Sequence, residues 1–127
     1  MEKHSPFYEQ LGFRSGVCDP EGVYMELTIS NEHLNRNGSL HGGIHATMLD
    51  NVFGATIHHL TGCKNVTVTL NIHYLSPVNS GTITARCQVL HMGYKLAALD
   101  GFIHDEDGNQ IAKGSGTFKL LREGANV

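Results

Sequence analysis

Hydrophobic and polar positions change period twice along this chain. Val23, Met25, Leu27 and Ile29 alternate with Tyr24, Glu26, Thr28 and Ser30, the period of two expected of a half-buried strand. Across residues 43–60 the apolar residues Ile44, Met48, Leu49, Val52, Phe53, Ile57 and Leu60 recur three and four apart. That spacing predicts a helix, ended by Gly62. Period two then returns. Val66, Val68, Leu70, Ile72 and Tyr74 predict one face of a strand, with Thr67, Thr69, Asn71 and His73 on the other. Ile83, Ala85, Cys87 and Val89 repeat the pattern, and residues 96–103 form a less cleanly patterned strand. Asp107-Gly108 predicts a hairpin turn. Ala112, Gly114, Gly116, Phe118 and Leu120 share a face of the last strand. Small residues there would let another backbone, such as the helix, approach closely. Upstream, Ser5-Pro6 marks a helix start, with a short helix from Pro6 to about Leu11 closed by Gly12. Residues 31–40 are polar, contain Asn37-Gly38 and read as a loop.

This order of elements suggests an α+β fold, an antiparallel sheet wrapped around one long central helix. The helix surface beyond its apolar stripe is mostly Ala, Thr, Gly and His, so it should be enclosed by other elements. One sheet and one helix leave apolar faces and open edges, which points to a homo-oligomer, a dimer or tetramer. The 127 residues suit a single domain, with no repeat, linker or low-complexity run. A net charge of -3 gives no sign of nucleic acid or an anionic membrane as partner. Cys18, Cys63 and Cys87 are widely spaced, without a CxxC pair, so neither a disulfide framework nor a zinc site is indicated. Free thiols, and an N-terminus without an apolar signal segment, fit a cytoplasmic protein. Asp50, Asn51, His58 and His59 interrupt the longest apolar stretch, which excludes it as a membrane span.

Asp50 is the one formally charged residue between Arg36 and Lys64. A lone carboxylate on an apolar helix costs free energy unless it is paired or hydrogen-bonded. It is therefore either a buried structural acid or a catalytic group. The helix begins at His41-Gly42-Gly43, where bare backbone N–H groups can hold a developing negative charge. Acyl-transfer chemistry would use both features. At about 1.5 Å rise per residue, Asp50 lies roughly 10–12 Å along the helix from Gly42 and Gly43. A water on Asp50 must come within about 3 Å of the carbonyl carbon. If both features serve one reaction, two chains must contribute, through helices paired antiparallel across a two-fold axis. His41 and His45 have a metal-pair spacing, but no accompanying acid supports a metal site. His58 and His59 suit the helix C-terminal dipole.

The run Asn35-Arg36-Asn37-Gly38-Ser39-Leu40-His41-Gly42-Gly43, followed by Met48-Leu49-Asp50, resembles the signature of hotdog-fold thioesterases, in the PaaI-like acyl-CoA branch. The resemblance continues through Asn71-Ile72-His73-Tyr74-Leu75-Ser76-Pro77, Gly93 to Leu96, and the Asp107-Gly108 hairpin. It covers about residues 5–121. It implies that the Gly42 N–H polarises a thioester carbonyl and that Asn35 assists there or orients the water. It implies that Asp50 of the partner chain is a general base on water, or alternatively a nucleophile. Thr67 falls where some relatives place a hydroxyl that positions the water, and His41 would fix the loop or touch the thioester. Gly43 and Tyr74 would line the substrate, while Gly93, Tyr94, Lys95 and Leu96 would flank the pantetheine arm, with Lys95 toward a CoA phosphate. Phe53, Ile57, Leu60 and Tyr74 are candidate pocket walls. At Thr69 some relatives carry an acid, so this strand face departs from their pattern.

The function expected from these residues is hydrolysis of an acyl- or aryl-CoA, without a cofactor or metal. No GxSxG elbow is present. A thioester needs only one base and one oxyanion donor. The alternatives are a hotdog hydratase or dehydratase, and an acyl-CoA-binding regulator without activity.

Overall fold

A computed structural model describes residues 6–18 and 22–122; Ser5, the expected start of the first helix, lies outside them. The chain runs α1 (Pro6–Leu11), β1 (Arg14–Cys18), β2 (Gly22–Thr28), a single 3-10 turn (Asn31–His33), and α2 (Gly42–Thr61). It continues through β3 (Lys64–Tyr74), β4 (Thr82–Met92), β5 (Leu96–His104) and β6 (Gln110–Leu121). The six strands form one antiparallel sheet in the order β1-β2-β4-β5-β6-β3. The α+β architecture with one long helix on a sheet is as expected. The segment at residues 31–40 is more ordered than a plain loop: it holds the 3-10 turn and an antiparallel bridge between Leu34 and Leu40.

Strand β1 was not legible in the sequence. Arg14, Ser15, Gly16 and Val17 carry no apolar alternation, because β1 is an edge strand whose backbone pairs with β2. Gly16 is there for space: a Cβ would stand 2.6 Å from the Tyr24 hydroxyl.

Helix α2 is ended by Gly62 at φ 74°, whose N–H donates to the His58 carbonyl. Its stripe of Ile44, Met48, Leu49, Val52, Phe53 and Ile57 is buried against the sheet. The glycines of β5 and β6 set how close it lies. A Cβ on Gly101 would stand 2.6 Å from the Phe53 ring; on Gly116, 2.9 Å from the same ring; on Gly114, 3.0 Å from Leu49 and 2.8 Å from the Asn71 carbonyl oxygen. The small-residue face expected on the last strand thus serves the helix.

Strand β3 departs from its expected pattern. The ladder with β6 shifts register between Thr67 and Thr69, leaving Val68 as an extra, unpaired residue. One inserted residue reverses which side chains face the core. Before the bulge the odd positions turn toward α2: the Asn65 amide donates to the Gly54 carbonyl and the Thr67 hydroxyl to Asp50. After it the even positions do, with Leu70 and Ile72 against the core and the Tyr74 hydroxyl donating to the Gly42 carbonyl. Val66 and Val68 therefore do not share a face with Leu70, Ile72 and Tyr74. They are 47% and 56% exposed, on the strand that forms one open edge of the sheet.

Among the described residues, three polar side chains are buried. His33 contacts the Leu11 carbonyl and accepts from the Ser30 N–H. The Thr56 hydroxyl accepts from the Val23 N–H and the Cys87 thiol. His45 has no hydrogen-bond partner at either ring nitrogen, a condition that costs about 1–3 kcal/mol. Burial lowers its pKa, offset in part by the His41 carbonyl one turn back.

Gly114→Val should lower stability by about 1–3 kcal/mol, the usual scale of overpacking, because the obstructing Asn71 carbonyl is backbone; the urea midpoint reads this. His45 binds a proton less readily folded than unfolded, so its contribution to stability is lost as pH falls below its ordinary value of 6.5. Urea titrations across pH should show wild type losing more stability on acidification than His45→Leu.

Candidate active site

Among the described residues, clefts border α2 at different places along it. At the head of the helix, Asn35, Ser39, Leu40, Gly42, His45, Tyr74, Leu75, Ser76 and Pro77 line the first. Here His41 is the N-cap: its Nδ1 accepts from the Gly43 N–H at 3.1 Å. Its own backbone N–H donates to the His33 carbonyl, tying the helix start to the 3-10 turn. The Gly43 N–H is thereby occupied. The Gly42 N–H, at the first helical position, has no acceptor among the described residues. A free N–H at a helix start is an anion or oxyanion site. Tyr74 covers this point, its ring 3.4 Å from where a Gly42 Cβ would be.

Asn35 shapes the same cleft. Its side-chain oxygen accepts from the N–H groups of Asn37 and Ser39 at 2.9 and 3.2 Å. Those bonds orient the amide and leave its NH2 donors uncommitted. The Asn37-Gly38 turn is thus what holds Asn35 beside Gly42.

The second cleft surrounds Asp50. Its lining includes Tyr8, Asn51, Gly54, His58, Lys64, Asn65 and Thr67. The Thr67 hydroxyl donates to Asp50 Oδ1 at 2.6 Å, a short charge-assisted bond. No cation pairs with Asp50 among the described residues. Tyr8, from α1, has its pKa raised by burial and, to a lesser degree, by the Asp50 charge. Nothing in the sequence marked Tyr8, because only the packing of α1 brings it here.

A third cleft adjoins the second, sharing His58, Lys64 and Leu121 with it and adding Gly62, Cys63, Tyr94 and Arg122. The Gly93 N–H donates to the Leu96 carbonyl at 2.8 Å, closing the turn between β4 and β5. Arg122 donates from Nε to the Tyr94 carbonyl and lies 4.1 Å over the Tyr94 ring. The cations facing this cleft are Lys64 and Arg122; Lys95 is exposed and lines none of the three. Gly93 to Leu96 therefore belong to the Asp50 end of the molecule.

Within one chain, Asn35, Gly42 and Tyr74 come together, and so do Asp50 and Thr67, but the two groups do not meet: their clefts share no residue. Phe53 and Ile57, named as candidate pocket walls, are fully buried in the core and line neither cleft, because their stripe of α2 packs on the sheet. Among the described residues no cluster of His, Cys, Asp and Glu could hold a metal, and no helix is long and apolar enough to cross a membrane.

Comparison with known proteins shows the family of the chain. A sequence profile of the thioesterase superfamily matches residues 37–112, spanning the Asn35 turn's end, α2 and most of the sheet. Human acyl-coenzyme A thioesterase 13 is 36% identical over 124 residues, 94% of this chain and 89% of its own length. The mouse protein of that name is 34% identical over 104 residues, 80% of this chain and 74% of its own. Among solved structures, a Bacillus halodurans protein crystallised with CoA superimposes with a TM-score of 0.88 at 26% identity, covering 97% of this chain and 83% of that one. A conserved Pseudomonas aeruginosa protein gives 0.87 at 25% identity, covering 93% and 95%. The chain belongs to the thioesterase superfamily, with the hotdog fold of its members.

Proposed function

We propose that this protein hydrolyses acyl-CoA thioesters to free acid and CoA, at sites each completed by two copies of the chain. The observation that carries this reading is the Asp50–Thr67 bond of 2.6 Å at a cleft. It presents an oriented carboxylate that forms no ion pair among the described residues, in a chain whose Gly42 N–H stands free. The similarity to acyl-coenzyme A thioesterase 13, and to a structure holding CoA, supports the choice of thioester.

In the proposed reaction the thioester carbonyl oxygen rests on the Gly42 N–H, with Asn35 alongside. Asp50 of the partner chain takes a proton from water as the water oxygen bonds to the carbonyl carbon. Negative charge gathers on the carbonyl oxygen at the head of α2, where the helix dipole and free N–H stabilise it. Collapse breaks the C–S bond, and the departing CoA thiolate takes up the proton, directly or from solvent. Thr67 holds one carboxylate oxygen, leaving the other to the water. Lys64 and Arg122 offer positive charge to the CoA phosphates at the Asp50 end. A partner that pairs with the open edge of β3 would cover Val66 and Val68; this is the face we assign to the dimer.

Thiol release from a panel of short, medium, long and aromatic acyl-CoAs tests the reading. Asp50→Asn should keep its melting transition and lose about 10²–10⁴-fold in kcat, the scale of a lost general base. Full turnover by that variant refutes the role given to Asp50. Removing one hydrogen bond to a charged group is a smaller loss, so Thr67→Ala should cost about tenfold, with Thr67→Ser near wild type in the same assay.

A further inference from the structure

His45 was noticed in the sequence for its spacing from His41, and a metal role finds no third ligand among the described residues. Its surroundings give it another use. It is 4% exposed, yet it walls the cleft at the head of α2 with Gly42, Asn35 and Tyr74. Neither ring nitrogen has a well-formed hydrogen bond, the His41 carbonyl one turn back being the backbone group that acts on the ring. Its ring stands edge-on to Tyr74, at 90° and 5.2 Å between centroids, so packing fixes its plane. Side chains on a helix lean toward its N-terminus. His45 is three residues beyond Gly42, less than one turn away. The imidazole thus lies back over the first turn, near the His41 carbonyl, in a cleft it shares with the free Gly42 N–H and the uncommitted Asn35 amide donors.

We propose that His45 is a second hydrogen-bond donor to the carbonyl oxygen of the bound thioester, sharing that oxygen with the Gly42 N–H. This rests on the thioesterase reading above. A carbonyl oxygen has two lone pairs and accepts two donors at once. Burial keeps the imidazole in its neutral form, which carries one N–H. The N–H of a neutral imidazole is a far weaker acid than that of an imidazolium, so it donates a hydrogen bond without giving up its proton. Its bond strengthens as charge builds on the oxygen, so its contribution falls on the transition state more than on binding. An otherwise unpaired buried imidazole then has its partner when substrate is present.

The test reads the carbonyl directly. An isotope-labelled acyl-CoA is bound to Asp50→Asn, which holds substrate without turning it over, and the carbonyl stretch is measured by infrared difference spectroscopy. The same is done for Asp50→Asn combined with His45→Leu, and with His45→Gln. The stretch should lie lowest with His45 present, rise with Leu and return in part with Gln. In the otherwise wild-type chain, His45→Leu should lower kcat about 10²–10³-fold, the scale of one lost oxyanion donor, with KM little changed and Gln recovering part of the loss. An unchanged stretch with Leu, or a loss confined to KM, overturns the role of His45. The infrared readout needs no turnover, so it judges His45 even if wild type releases no thiol, the result that would instead sink the thioesterase reading. An acyl-CoA that fails to bind at all overturns both.

Discussion

A helix rises by a fixed amount per residue, and that constraint organises the whole site. Gly42 and Asp50 both belong to α2, eight residues apart, so roughly 12 Å of rigid backbone lies between them. No side-chain movement within one chain closes that gap to the contact distance hydrolysis needs. The two clefts along α2 share no lining residue. On the proposed reading the helix carries two half-sites, and what one end lacks the other end of a second copy would supply. Its rigidity comes from the sheet: Gly101, Gly114 and Gly116 give up their side chains so that Leu49 and Phe53 can seat against β5 and β6.

Each half-site is built from ordinary parts. At the head of α2, His41 caps Gly43 and so leaves Gly42 as the free N–H. At the third turn, one extra residue in β3 turns Thr67 inward onto Asp50. Without that bulge the Thr67 hydroxyl would point away from α2 and Asp50 would lose its oriented partner. The same bulge turns Val66 and Val68 outward along an open edge. A single insertion thus orients the carboxylate and exposes the apolar strand that suits a second chain. A thioester, with an electrophilic carbonyl and a good leaving group, is a substrate for which such modest machinery suffices.

Much of this was legible in the sequence, for reasons that differ by element. Helix α2, β4 and the small-residue face of β6 were readable because burial imposes a period and the pattern shows it. The spacing of His41-Gly42-Gly43 and Asp50 was readable because a helix converts residue count into distance. Strand β1 was hidden because an edge strand held by backbone pairing needs no apolar alternation. The faces of β3 were misread because one unpaired residue, Val68, leaves no signal in composition yet reverses the parity around it. Tyr8, Lys64 and Arg122 reach their clefts through tertiary packing, which no local pattern encodes. Lys95 was expected near a CoA phosphate from the family resemblance; in the fold it is exposed, while Lys64 and Arg122 line the cleft.

The central claim is that each site takes Asn35 and Gly42 from one chain and Asp50 from another. Mixing inactive subunits tests it most directly: Asn35→Ala and Asp50→Asn chains, each with its own affinity tag, are co-expressed, and the mixed oligomer is purified on both tags. A two-chain site requires that the mixed oligomer regain thioester hydrolysis well above either variant alone, because one of its sites is then wild type at both positions. A mixed oligomer as inactive as its parents would place all of these groups in sites made by single chains and contradict the account.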